Sequence, residues 1–203
     1  MARDVYSFGA GKAMGGASMR QILGGKGAGL HEMTRMGVPV PPGFTISTAV
    51  CTHFYENKGT YPEGLEREVA RAMVRVEKIM GRRFGDGADP LLVSVRSGAR
   101  ESMPGMMDTV LNLGLNDRTV AGMIERTGNP RFVYDSYRRF VQMYGDVVLG
   151  MKPDKADQHD MFETLLERMK KARGVNDDTG LTAKDLQVLV GQFKDEIRRQ
   201  QGI

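Results

Sequence analysis

The sequence predicts an α+β fold in two parts, a small mixed sheet with helices over residues 1–117 and a helical part over 118–203. Two observations carry this. The 26 glycines gather before residue 130, among short apolar runs that read as strands. After about residue 117 the apolar residues recur instead at the 3.6-residue helical period.

The elements follow in chain order. Glycines crowd residues 1–29, ending in Gly24, Gly25, Gly27 and Gly29. Ala28, Leu30, Met33 and Met36 then fit a short helix from Lys26, which Gly37 ends. Val38-Pro39-Val40-Pro41-Pro42-Gly43 is extended or turn, because a residue before proline is pushed out of the helical region. Phe44 to Thr48 alternates like a strand. Residues 63–80 place Leu65, Val69, Ala72, Met73, Val76 and Met80 on one helical stripe. Leu91 to Val95, behind Pro90, reads as a buried strand, and Val110 to Leu113 as a second. Val133, Tyr137, Phe140, Val141, Tyr144 and Val148 mark a helix, and Met161, Leu165, Leu166 and Met169 another. Thr182 with Asp185 is a capping-box variant, opening a helix whose inner face is Leu186, Leu189, Val190, Phe193 and Ile197. That helix still runs near Ile203, and so few strands leave a sheet with open edges. A fragment, or a subdomain leaning on further chain, is the expectation.

Composition narrows the function classes. Hydrophobic residues make up 40% and charged residues 27% of the 203, the balance of a globular rather than a disordered chain. No apolar run approaches the ~20 residues of a membrane span, and the N-terminus carries no signal-peptide pattern. The net charge is +4. Arg and Lys are interleaved with Asp and Glu, without the basic patch of a nucleic-acid binder. A lone cysteine, Cys51, permits no internal disulfide and fits a reducing, cytoplasmic setting. It reads as a small core residue. His31, His53 and His159 lack metal-ligand spacing, so no metal site is expected within the chain. Asp154, Asp157, Asp160, Asp177 and Asp178 read as solvated helix caps.

Two segments hold candidate chemistry. In Leu23-Gly24-Gly25-Lys26-Gly27-Ala28-Gly29-Leu30 the glycines let backbone N–H groups approach an anion, and the following helix adds its positive end. Lys26 supplies a point charge for phosphate. The spacing is not that of a Walker A loop, whose first glycine would fall on Arg20. Phosphate binding and a glycine turn with a solvent lysine both remain open on spacing alone. The second segment runs from Ser94 to Thr109. Arg96 leaves the predicted strand end, a rigid place from which to aim a planar guanidinium at phosphate oxygens. A structural Arg96–carboxylate pair is the alternative.

Together these segments resemble one family. Leu23 to Gly27, Pro41-Pro42-Gly43-Phe44-Thr45, Leu91 to Asn116, Gly128 to Phe132 and Tyr134-Asp135-Ser136-Tyr137-Arg138-Arg139-Phe140 are similar to the N-terminus of the pyruvate, phosphate dikinase family. The stretch Ser94 to Thr109, with its Met103-Pro104-Gly105-Met106-Met107 loop, is the most specific part. The resemblance runs from about residue 5 to 150 and weakens to the end. It implies the first subdomain of an ATP-grasp nucleotide-binding domain. Lys26 and Arg96 would grip the triphosphate, Arg96 in a catalytic role, with Gly105 and Met107 beside it. It also implies Mg²⁺ with ATP, the metal ligands lying outside this chain. The implied partners are a phosphohistidine domain and a pyruvate-binding barrel of a homo-oligomeric enzyme. None of the three histidines sits in the family's Gly-Gly-Met-Thr-Ser-His motif, so the isolated chain is expected to be inactive. A non-catalytic nucleotide-binding short form and a purely structural domain are the competing readings.

Overall fold

The structure, a computed structural model, describes residues 3–97, 108–153 and 160–202. Mixed helices and small antiparallel sheets bear out the α+β class. The chain divides into two compact units, one of residues 1–84 with 97–107 and one of 85–96 with 108–203.

The first unit opens with β1 (Val5–Gly9), which turns back into β2 (Lys12–Ala13). Gly9 and Gly11 take positive φ in that turn, a conformation costly for a residue with a Cβ. β1 is the central strand, pairing antiparallel with β2 and with β3 (Gly43–Ile46), in the register Val5 to Ile46 and Phe8 to Gly43. Between them runs α1 (Arg20–Arg35), and α2 (Thr48–Glu56), α3 (Leu65–Met80) and the short β4 (Arg83–Phe84) follow. Val5, Val50, Leu65 and Ala72 form the core of this unit, with Phe44 and Val69 packed on them. The Glu68 carboxylate of α3 accepts the backbone N–H groups of Asp4 and Val5 (3.2 and 3.0 Å), pinning the start of β1.

Three expectations are corrected here. β3 ends at Ile46, and Thr48 opens α2, a helix the periodicity does not predict. Cys51 lies on α2 but is exposed, because that helix buries only Val50. Met36, read as the last apolar residue of the helix from Lys26, is 73% exposed beyond the end of α1.

The second unit contains β5 (Pro90–Leu91), β6 (Val93–Arg96), β7 (Thr109–Leu113) and the helices α4 (Thr119–Thr127), α5 (Pro130–Met143), α6 (Met161–Arg173) and α7 (Ala183–Gln201). A π-helical turn, Tyr144–Val148, continues α5. Val133, Tyr137 and Val141 of α5 meet Leu186, Leu189, Val190 and Phe193 of α7, with Phe162 and Leu166 of α6, in one buried cluster. Burying side chains of this size contributes about 1.5–3 kcal/mol each. The Thr182–Asp185 capping box forms as expected. The apolar run 91–95 is buried only at its start. Leu91 is buried, whereas Ser94, Val95 and Arg96 are exposed. Among the described strands β6 pairs with β7 alone, which leaves its other edge without a strand partner there.

Candidate nucleotide-phosphate site

α1 is not one continuous helix. Gly24 has φ 68° and ψ 169° inside it, a backbone conformation essentially reserved for glycine. The break divides a first turn at Arg20 from a longer helical segment beginning at Gly25. Just before the break the Gln21 carbonyl accepts the Thr48 hydroxyl (2.7 Å), tying the first turn to the start of α2. The longer segment therefore begins beside a glycine step, the end of a helix at which the dipole is positive.

Lys26 is the second residue of that segment. It is half-buried and makes no hydrogen bond or ion pair with the described residues. The next residue fixes how the segment seats. A Cβ on Gly27 would come within 2.9 Å of Thr45 Cγ2 and 3.0 Å of Thr45 Oγ1, so only glycine lets the helix approach β3 this closely. His31, one turn further on, is fully buried. Its Nδ1 accepts the Gly15 N–H (3.1 Å), its Nε2 lies 3.4 Å from Thr45 Oγ1, and its ring meets Phe8 edge-on. Burial lowers its pKa and keeps the ring neutral. Glu32 beside it accepts the Ala17 N–H (2.9 Å). His31 and Glu32 thus hold the Gly15–Ala17 turn on the helix that carries Lys26. The sequence gives no metal spacing around His31, and packing is the role the structure assigns it.

Arg96 ends β6 opposite Thr109 of β7. It is exposed, and no carboxylate among the described residues pairs with it. Lys26 and Arg96 fall in different compact units. Gly105 and Met107 lie outside the described residues.

The segment Asn129 to Phe140 has structural partners. Asn129 caps α5 by accepting the Phe132 N–H (3.0 Å), with Pro130 at the first helical position. Arg131 donates to the carbonyls of Leu181 and Asp178 (2.9 and 2.7 Å). Arg138 is buried and paired with Asp135 (2.9 Å) and Asp178 (3.2 Å). Such a charge is tolerable inside only when partnered on this scale. Asp160 caps α6, as the cap reading anticipates, by accepting from Phe162 and Glu163. Near the end of α5 an open depression of about 430 Å³ is lined by Phe132, Arg139, Met143 and Asp146 among others. Burial pushes the Asp146 carboxyl up to about 6, helped by the nearby Asp160.

Among the described residues no three His, Cys, Asp or Glu side chains gather as a metal site. No helix among them is long and apolar enough to cross a membrane.

Comparison with known proteins places these features. Residues 20–69, which include Arg20, Lys26 and His31, match the family described as pyruvate phosphate dikinase, AMP/ATP-binding domain. The pyruvate, phosphate dikinase of Rhizobium meliloti (strain 1021) is 52% identical over 203 residues, 100% of this chain and 22% of that protein. That of Clostridium symbiosum is 51% identical over 194 residues, covering 96% and 21%. The chloroplastic pyruvate, phosphate dikinase 1 of Oryza sativa subsp. japonica is 52% identical over 193 residues, covering 95% and 20%. The chain spans about a fifth of the length of these relatives.

Proposed function

We propose that this chain is the N-terminal fifth of a member of the pyruvate, phosphate dikinase family, to which it is about half identical, and that it supplies the phosphate-gripping part of an ATP site. The observation that carries the proposal is the match of residues 20–69, with Lys26 inside them, to an AMP/ATP-binding domain. In this reading Lys26 and Arg96 bind the triphosphate of Mg·ATP, with Gly105 and Met107 beside it. The Mg²⁺ enters with the nucleotide as part of the substrate. Phosphoryl transfer asks chiefly for charge neutralisation and in-line positioning. Lysine offers a mobile point charge and arginine a planar fork, and the two together suit a triphosphate. The absence of a carboxylate partner for Lys26 or Arg96 among the described residues supports this over the purely structural reading.

The reaction we propose for the longer protein consumes ATP, phosphate and pyruvate and forms AMP, diphosphate and phosphoenolpyruvate through a phosphohistidine. This chain's share is binding and charge neutralisation. The phosphohistidine domain and the pyruvate-binding barrel are the partners the reading requires, in a homo-oligomeric enzyme. The compartment we propose is the cytoplasm, although the rice relative is named chloroplastic.

Calorimetric titration of the chain with Mg·ATP and with AMP tests the reading. Contacts to the outer phosphates predict weak binding of ATP and weaker binding of AMP. Equal affinity for the two nucleotides contradicts it.

A further inference from the structure

We propose that Arg20 is a second phosphate-binding cation of the same site, acting beside Lys26 across the Gly24–Gly25 step. The inference rests on reading Lys26 as a phosphate ligand.

Side chains on a helix lean toward its N-terminus, but Arg20 reaches forward. Its Nη2 and Nε lie 3.5 and 3.6 Å from the point that a Cβ on Gly25 would occupy. The guanidinium therefore lies over the glycine step, in space that any long side chain at position 25 would fill. Arg20 is exposed, and it makes no hydrogen bond or ion pair with any described residue. Lys26, one residue beyond Gly25, is equally unpaired. Among the described residues Arg138 pairs with Asp135, Arg173 with Asp185, Arg198 with Asp195 and Arg199 with Glu196, whereas Arg20, like Arg71, has no carboxylate partner. Around Gly24–Gly25 two cations stand at the start of a helical segment, neither ion-paired with a carboxylate among the described residues. An anion seated at this step meets the Arg20 guanidinium over Gly25 and the Lys26 charge from the adjoining residue. The planar fork of Arg20 suits two oxygens of a polyphosphate, whereas Lys26 contributes one compact charge. The match to an AMP/ATP-binding domain begins at residue 20 itself.

The test titrates the chain with Mg·ATP and with inorganic triphosphate, using Arg20→Ala, Arg20→Lys, Lys26→Ala and the remote exposed control Arg71→Ala. Arg20→Ala is expected to weaken both ligands by about tenfold, the effect of losing one charge-assisted contact. Arg20→Lys recovers part of the loss, and Arg71→Ala binds as the parent does. If Lys26→Ala weakens binding while Arg20→Ala stays within about twofold, the Arg20 proposal falls and the Lys26 reading stands. If neither substitution weakens binding, or the parent chain binds no triphosphate, both fall. A loss with Arg71→Ala matching that of Arg20→Ala reduces the effect to general surface charge and overturns the proposal. Unchanged melting temperatures show that the variants remain folded.

Discussion

His31 illustrates how one residue links fold and site. Its Nδ1 must be unprotonated to accept the Gly15 N–H, and its burial disfavours the cation. The unfolded chain therefore takes up a proton before the folded one as pH falls. Stability from this contact is complete above the ordinary histidine value, about 6.5, and is lost as pH drops toward the lowered folded value. Glutamine at this position keeps an acceptor but does not titrate. Melting temperatures of the parent are expected to fall more steeply than those of His31→Gln between about pH 7 and 5. Parallel curves would show that His31 does not carry this dependence. The nearest charged side chains on its own helix, Glu32 and Arg35, are turned to Gly16. No charged neighbour contributes to the shift, and burial is its single cause.

At the scale of elements, close approach decides more than propensity. α4 seats Gly122 against the backbone of Gly87 and Ala88, where a Cβ would collide with both carbonyl oxygens. Backbone cannot move aside as a flexible side chain does. Gly122→Ala should therefore destabilise the second unit by about 1–3 kcal/mol or more, read as a lower urea midpoint. An unchanged midpoint would mean that α4 is free to shift. The long helices were legible in the sequence because their apolar stripes are long: α3, α5 and α7 lie where periodicity puts them. Three features were not. α2 is built mostly from Thr, Val, Cys, His, Phe and Tyr, middling helix formers, with only Ala49 and Glu56 favouring a helix, and so gives little helical signal. β6 reads as buried because 91–95 is apolar, but strand pattern does not report whether a second layer covers it. The Gly24 break hides among neighbouring glycines, since composition cannot say which glycine takes positive φ. The second unit's Asn129-to-Phe140 segment is a motif by resemblance, and its described contacts are a helix cap and a buried arginine.

At the scale of the molecule, the chain forms two units with separate cores, and the proposed phosphate ligands Lys26 and Arg96 are divided between them. The resemblance named both residues, and residue chemistry alone left each open. What the structure adds is local: the glycine break before Lys26, the packing of Gly27 on Thr45, and the unpaired state of both cations among the described residues. Each follows from distances that a one-dimensional pattern does not contain.

The central claim is that Lys26 and Arg96 bind the phosphates of ATP. Isothermal titration of Mg·ATP into the chain and into the double variant Lys26→Ala/Arg96→Ala tests it most directly. The account predicts weak binding by the parent and none by the double variant. Micromolar affinity retained by the double variant would contradict it.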